Sequence, residues 1–530
     1  MSADTPAPPT TDPATPDDGV SPSPHEEAET PRLRAALSSA GGDALRYVPA
    51  RFVPALATLL TVPVFTALIS PQDYGAFFLV SSVLLLVSNI AVGWIGSAAV
   101  RYYWPLDREG RSDAFVATVV WSAIGALLST AIVGGAVVWF AHGSLPLEIA
   151  RLVPAALVFY VLNYLTDLLS GVLRAAKQAT TFAKLQTAGA LLSTALSIGC
   201  VWLGKLGAAG IFAGAALAWL ILLFPLLRAV GRLGSTAPSS FDRKLLGEFW
   251  HYGMPLVPMY ISSWALILID RFVIQAFDGS AAVGLYSVAY NLGDKLMQLA
   301  TVPLLLTMVP SLMEAFERHG QHLAEKVQTQ FVRYFALVTF PLVAGLLVTA
   351  QTFMHVFTAP AYVSAWPVLA VVAGGSMCAS FAQIATTGLS IHHRTKVVML
   401  NALLAAGFNL IANIVLVPRF GYMAAAYDTL LAYLLMMVLA WARTRDIMPL
   451  QIPWSDLARV TAAATGMGLG VWLAFSHVQV LSRAGAVGVL LAQALAGVAL
   501  YVILVYALGA IRRDESDAAL TTVRKLLGRG

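Results

Sequence analysis

Eight charged side chains stand where charge is costly. Arg51, Arg271, Lys295 and Arg333, with Asp167, Asp270, Asp294 and Asp428, each lie inside a stretch otherwise made of apolar residues. An ionised group in the middle of such a span costs about 2.5–3.5 kcal/mol on insertion scales, so it is expected to face a water-lined cavity or a partner. The four bases can hold an anion, because a guanidinium forks onto phosphate oxygens through two parallel bonds and an ammonium meets them as a point charge. The four acids can hold a proton or a sodium ion, or balance the bases. Asp270 and Arg271 are neighbours, so they leave a helix about 100° apart and cannot simply face each other. Asp294 and Lys295 repeat the arrangement near the middle of their span, where neither surface is within easy reach.

Each site has a plainer alternative. Arg51, about one turn into its span, can snorkel to head groups instead of facing a cavity. Arg271 can sit in a purely structural ion pair between helices. Arg333, a candidate for anion binding, stands near the end of its span, as Lys184 and Arg459 do, where anchoring to head groups is open to it. The amides Asn163, Asn291, Gln298, Gln383, Asn401, Asn409 and Asn413 can bond hydroxyls of a bound molecule or bond across helices. For Asn409 and Asn413, one turn apart, the structural role is the safer one. His392 and His393 sit with Arg394 and Lys396 in a short loop that fits head groups, and no metal site, cofactor or catalytic acid–base constellation is expected. Cys200 and Cys378 lie inside apolar stretches without CxxC spacing and read as small core residues.

The elements that must position these residues are membrane spans. Of 530 residues, 58% are hydrophobic and 12% charged, against about 45–50% and 25% in soluble domains. A spanning helix needs roughly 20 apolar residues, and such runs follow one another at 47–69, 74–99, 114–141, 152–173, 181–203, 208–229, 251–276, 281–309, 330–352, 364–391, 397–417, 421–442, 456–476 and 485–511. The sequence predicts an all-α polytopic membrane protein of about fourteen transmembrane helices. Residues 1–43, rich in Pro, Ala, Thr and Ser, cannot bury enough apolar surface to fold and are expected to form a disordered cytoplasmic tail, with no signal segment before the first span. Residues 512–530 form a second cytoplasmic tail, and 311–327 and 514–530 are amphipathic enough to lie along the inner surface.

Orientation follows from the connections. With both termini cytoplasmic, inside segments carry 23 Lys and Arg and outside segments 4, the bias of a membrane protein held by its positive inside. The net charge of +5 is spread through these short clusters, without a basic domain to track nucleic acid.

The chain also resembles itself. Gly75 in the link SPQDYGAFFLVSSV corresponds to Gly284 in GSAAVGLYSVAYNL, and Gly207 with Ala208–Ala216 corresponds to Gly421 with Ala424–Ala426. Corresponding spans are six apart, so the repeats run the same way through the membrane. Two parallel six-helix lobes are expected, 44–229 and 248–442, joined by a cytoplasmic linker at 230–247, with a site between them. The two helices of 443–511 are an addition.

RFVPALATLLTVPVFTALISPQDYGAFFL (51–79), IDRFVIQAFDGSAAVGLYSVAYNLG (269–293) and NLIANIVLVPRFGYMAAA (409–426) resemble the polysaccharide-export branch of the superfamily that also holds toxin-extrusion multidrug exporters and the peptidoglycan-precursor flippase. The similarity runs over roughly 44–450. It implies a V-shaped pair of lobes, alternating access in a bacterial inner membrane, and a polyprenyl-pyrophosphate-linked oligosaccharide as cargo for lipopolysaccharide or exopolysaccharide synthesis, with other polysaccharide-assembly proteins as candidate partners. The alternatives are flipping of the peptidoglycan precursor, export of organic cations, a membrane enzyme acting on lipid-linked sugars, or a lipid scaffold. Cation export calls for acids in the cavity, and the first six spans hold only Asp167. An enzyme calls for a sizeable loop bearing acids, and the longest outside loops, near 142–151 and 353–363, hold only Glu148.

A cysteine placed at Ser235, in a chain without its own two cysteines, is expected to be shielded from an impermeant thiol reagent in intact cells and labelled in inverted vesicles. Labelling in intact cells would reverse the topology.

Overall fold

The computed structural model describes residues 41–141, 145–478 and 482–511, with side chains in the first helix from Pro54 onward. Most of the N-terminal tail, the C-terminal tail with its stretch 514–530, and the Arg51 side chain lie outside the described residues. Residues 41–43, expected in the tail, begin the first helix.

All regular structure among the described residues is helical. The N-terminal half holds α1 (Gly41–Leu68), α2 (Pro71–Ala91), α3 (Gly93–Arg108), α4 (Ser112–Ala141), the single turn α5 (Leu147–Ala150), α6 (Val153–Ala175), α7 (Ala179–Trp202) and α8 (Ala209–Val230). After α9 (Arg243–Gly253) come α10 (Val257–His319), α11 (Gln321–Phe357), α12 (Trp366–Ile391), α13 (Thr395–Phe420), α14 (Tyr422–Thr444), α15 (Trp454–Phe475) and α16 (Arg483–Ala507). With no water in a hydrocarbon core, peptide groups must close their bonds within the segment, which a helix does. Hydroxyls follow the same rule: Thr66, Thr301 and Thr429 each donate to the carbonyl four residues earlier, at 2.8, 2.9 and 2.9 Å.

Among the described residues, twelve segments are long and apolar enough to cross a membrane. One of them runs from Arg243 to His319 and contains two crossings, because α10 breaks at Gly279, where φ 82° and ψ 176° are open to glycine and strained for other residues. With the shorter apolar stretch Pro54–Leu68 of α1, the described residues supply fourteen apolar helical segments, in keeping with the about fourteen expected. Residues 311–327 do not form one helix: 311–319 end α10 and 321–327 open α11, with only Gly320 between them.

The linker is also more ordered than its polar composition suggests. Asp242 caps α9 by accepting from the Lys244 and Leu245 amides at 2.8 and 3.3 Å, and Arg111 bonds it at 2.9 Å. Burial alone would raise the Asp242 carboxyl, but those amides and Arg111 bring it below the usual carboxylate range. Leu245 and Phe249 are buried as α9 packs against α3 and α4. Asp113 accepts from the Ser235 amide at 2.6 Å, and Trp121 donates to the Thr236 carbonyl at 3.0 Å. The linker is thus strapped beneath the first lobe.

The halves meet where α2 crosses the second limb of α10, on the face opposite the Lys- and Arg-rich connections. A Cβ on Gly75 would lie 1.8 Å from the Ser280 carbonyl oxygen, and one on Gly284 would lie 1.9 Å from that of Pro71. The two glycines, matched in the repeats, therefore make reciprocal backbone contact. Around them Tyr362 donates to the Ile69 carbonyl at 2.9 Å, and the Ala359 amide donates to Thr66 Oγ1 at 3.1 Å. Glu148 accepts from Gln72 at 3.2 Å and from Ser280 at 3.4 Å, joining both lobes. Its own amide and Gln72, with Ser280, outweigh burial and hold its carboxyl below the ordinary value.

Gly75→Val and Gly284→Val are each expected to open this face. Overpacking of about 1–3 kcal/mol is a factor of roughly 5–150 in a two-state balance. A cysteine at Thr66, which is 4% exposed, should then react with an impermeant reagent faster by that factor; an unchanged rate would show that the crossing does not hold the face shut.

Candidate functional site

A cavity in two joined chambers lies between the lobes. The first, of about 310 Å³, is walled by α1, α6, α7 and the second limb of α10, and its polar lining is Thr58, Asp167, Arg174, Gln186, Lys295 and Gln298. Arg174 is one residue from the end of α6, and Lys295 lies sixteen residues past the Gly279 break, about 24 Å along the helix at 1.5 Å per residue. This chamber therefore belongs to the half of the membrane nearer the basic connections. The second, of about 510 Å³, shares Pro54, Thr58 and Gln186 with it and extends toward the sealed face. Its described lining holds no charged residue. Aromatic walls of Tyr74, Phe77, Phe159, Phe212 and Trp219 alternate with amides and hydroxyls from Asn163, Gln186, Ser193, Thr194 and Asn291.

The charge in the first chamber is held in place. Lys295 donates to Gln298 Oε1 at 3.0 Å, while Gln298 Nε2 donates to Asp294 at 2.6 Å and Ser376 donates to the other Asp294 oxygen at 3.0 Å. Gln298 thus separates the two neighbours, and among the described residues Lys295 has no carboxylate within ion-pair distance. Arg174 lies over the Phe182 ring at 5.4 Å. With Asp167 on the same wall, the described lining carries two cations against one carboxylate.

Of the residues singled out in the sequence, Lys295 and Asp167 line the cavity, as do the amides Asn163, Asn291 and Gln298. Arg174 and Gln186 were missed. A signal for Arg174 was present: it follows Asp167 by seven residues, two turns along one helix face.

Arg271 and Asp270 line neither chamber; both are 2% exposed inside the second lobe. Adjacent residues were not expected to face each other, yet the guanidinium folds back. Its Nη1 donates to the Ile267 carbonyl at 2.8 Å and lies 3.4 Å from Asp270, and its Nε donates to Ser287 at 3.2 Å. Asp270 also accepts from the Arg271 amide at 2.8 Å and from the Tyr286 hydroxyl. The Tyr290 ring faces the guanidinium at 5.0 Å. The length and flexibility of the arginine side chain overcome the angle between neighbouring Cβ atoms.

Arg333 stands apart from the cavity altogether, 2% exposed. Its Nε lies 3.2 Å from Asp456 on α15, and its Nη2 donates to the Ala510 carbonyl at 2.6 Å. It neither anchors to head groups nor approaches the chambers, because it fastens the two C-terminal helices to α11. Asp428 on α14 is 1% exposed, and its Oδ2 has no hydrogen-bond partner among the described residues. On the neighbouring α13, amide atoms of Asn401, Asn409 and Asn413 share that state.

A family model described as polysaccharide biosynthesis protein matches residues 64–367, more than half of the chain. An uncharacterised membrane protein of Methanocaldococcus jannaschii is 26% identical over 199 residues, 37% of this chain and 39% of that relative, so the chain matches less than half of its length. Among solved structures, the lipid II flippase MurJ in an inward closed conformation has a TM-score of 0.70 at 14% identity, over 87% of this chain and 97% of that one. An inward-facing multidrug resistance MATE transporter of the MOP superfamily has a TM-score of 0.62 at 12% identity, over 79% and 99%. A MOP superfamily transporter from Pyrococcus furiosus, described by the reverse polarity of its binding pocket, has 0.57 at 13% identity, over 78% and 95%. At these identities the likeness is one of fold.

Arg333→Ala is expected to lower stability by about 1–3 kcal/mol, since Asp456 loses a buried guanidinium at 3.2 Å while the exposed Arg459 stays at 4.0 Å. The pair Arg333→Met with Asp456→Leu should recover most of that loss in thermal unfolding. A single variant as stable as the parent would remove the fastening role.

Proposed function

The chain belongs to this polysaccharide biosynthesis protein family, and from that premise we propose that it is a flippase carrying a polyprenyl-pyrophosphate-linked oligosaccharide from the cytoplasmic to the outer leaflet of a bacterial inner membrane. The observation that carries the reading is the joining of two chambers of different chemistry: a cationic one toward the basic connections and an uncharged one, lined by rings, amides and hydroxyls, beyond it. A lipid-linked sugar has that same division. Its pyrophosphate meets Arg174 and Lys295, and its sugars meet the aromatic walls and the amides of Asn163, Gln186 and Asn291. Arg51 lies on α1 three residues before Pro54, which lines both chambers, and is proposed as a third cation for the pyrophosphate.

The closed crossing at Gly75 and Gly284 supports alternating access, since the cavity then belongs to an inward conformation. Asp428 is the carboxylate best suited to take up a proton or sodium ion, because Asp270 and Asp294 are already occupied by hydrogen bonds. Arg271 and Arg333 are engaged within the fold and are set aside as cargo ligands. Export of organic cations is disfavoured by the sign of the lining, two cations against one carboxylate.

Lys295→Ala and Arg174→Ala are each expected to weaken binding of the lipid pyrophosphate by roughly 10- to 150-fold, the equivalent of about 1.5–3 kcal/mol for a hydrogen bond to a charged group. Asn163→Leu should discriminate among sugars while leaving a sugar-free polyprenyl pyrophosphate bound. Reconstituted vesicles with fluorescent lipid-linked oligosaccharide read both. Unimpaired flipping in the two charge variants, or export of a cationic dye abolished by Asp167→Asn alone, would transfer the chain to the cation exporters.

A further inference from the structure

The C-terminal helices α15 and α16 build a second cleft against α11, away from the cargo cavity. At the face opposite the basic connections it begins as a chamber of about 480 Å³, with Gln351, Thr352, His355, Ser476 and Gln493 as its polar lining. From the same Gln493 a groove of about 350 Å³ continues toward the middle of the membrane between Leu346, Met467, Val471, Leu490 and Val498, as far as Tyr501. The polar end of Tyr501 is turned away, its hydroxyl donating to the Leu337 carbonyl at 2.8 Å.

Gln493 is the hinge of the inference. It is 6% exposed, it lies on the wall of both compartments, and its Oε1 has no hydrogen-bond partner among the described residues. A buried acceptor without a donor is costly to leave unmade. The missing partner is a donor standing where a hydroxylated chamber opens into an apolar groove. No Lys, Arg, Asp or Glu is in the described lining of either compartment, and the guanidinium at its mouth, Arg483, already gives Nε and Nη2 to the Val356 carbonyl at 3.1 and 2.9 Å, so the compartment suits an uncharged head group better than an anionic one. Eight residues separate Gln493 from Tyr501, about 12 Å of groove along the helix. At Gly497 a Cβ would already touch Val471 at 3.6 Å and Met467 at 3.8 Å, so a longer side chain there would occupy the groove.

We propose that this cleft holds a membrane lipid with an uncharged, hydroxylated head group, one hydroxyl donating to Gln493 and one hydrocarbon chain lying in the groove. The lipid sits in the leaflet of the sealed face and joins α15 and α16 to the second lobe, continuing at that face the fastening that Arg333 and Asp456 provide nearer the other. None of the residues invoked lines the cargo cavity, so the site stands or falls apart from the choice of cargo.

Purified full-length protein would be delipidated and offered monoglucosyl diacylglycerol or phosphatidylglycerol with the same acyl chains, and retention measured by native mass spectrometry. One monoglucosyl diacylglycerol per chain is expected, retained at least tenfold more tightly than phosphatidylglycerol. Gln493→Leu should weaken it about tenfold, the loss of one hydrogen bond, and Gly497→Leu should fill the groove and abolish it. Equal retention of the two lipids, retention of neither, or glucolipid retention untouched in both variants would each overturn the proposal. The comparison of lipids on the unaltered protein needs no variant to fold.

Discussion

Two glycines decide how closely the halves of this molecule can meet. Lipid offers no hydrophobic drive to press helices together, so packing at short range has to supply it, and small residues let backbones supply it best. At Gly75 and Gly284 a side chain would overlap a carbonyl of the opposite helix in both directions. The break at Gly279 is what delivers the second limb of α10 to that crossing, since the chain must reverse and present Ser280 within one residue. Sealing one face by backbone contact leaves the cavity to widen toward the other. The position of Lys295 and Arg174 in the membrane, and hence the chemistry available to the cavity, depends on that crossing.

Charges inside the spans are sorted by the same medium. Arg271 and Asp270 satisfy each other with help from Tyr286 and Ser287; Arg333 is consumed by Asp456 and Ala510. Such pairs contribute little net stability over an apolar pair of equal shape, but breaking one is expensive, so they work as pins that specify which helices meet. Lys295 is different in kind. Gln298 stands between it and Asp294, so its charge is oriented without being cancelled and remains available to a partner from the cavity.

How much of this was legible in the sequence follows from which interactions are local. Fourteen crossings, the basic bias of one face and the matched glycines depend on runs and repeats along the chain, and the fold bears out the all-helical crossings. The cost of buried charge marked Lys295, Asp167, Arg271 and Arg333 alike, because that cost does not say what lies across the gap. Asp456 is 123 residues from Arg333 and sits in the first turn of its helix, where an acid reads as ordinary. Arg174 went unnoticed for the opposite reason: at the end of a helix on the basic face it counted toward topology. The adjacent-residue rule failed at Arg271 because it describes Cβ directions, and three methylenes ending in a guanidinium can undo about 100° of separation.

The two cavity cations have a consequence for how cargo and conformation are linked. Arg174 belongs to α6 of the first lobe and Lys295 to α10 of the second, and both line one chamber. A ligand moves an equilibrium only through a difference in its affinity for the two states. On the proposed reading, a pyrophosphate that bridges the two lobes supplies such a difference, because rocking the lobes changes the spacing of its two partners. Without an anion between them the two cations share the chamber with one carboxylate, Asp167 on the wall of the first lobe; a bound pyrophosphate holds both to a common anion. Turning a 1:99 balance into 99:1 takes about 5.5 kcal/mol, to which two charge-assisted bonds contribute about 1.5–3 kcal/mol each. On that reading the cargo supplies from about half to all of the free energy of the exchange, and an ion taken up at Asp428 would set its direction.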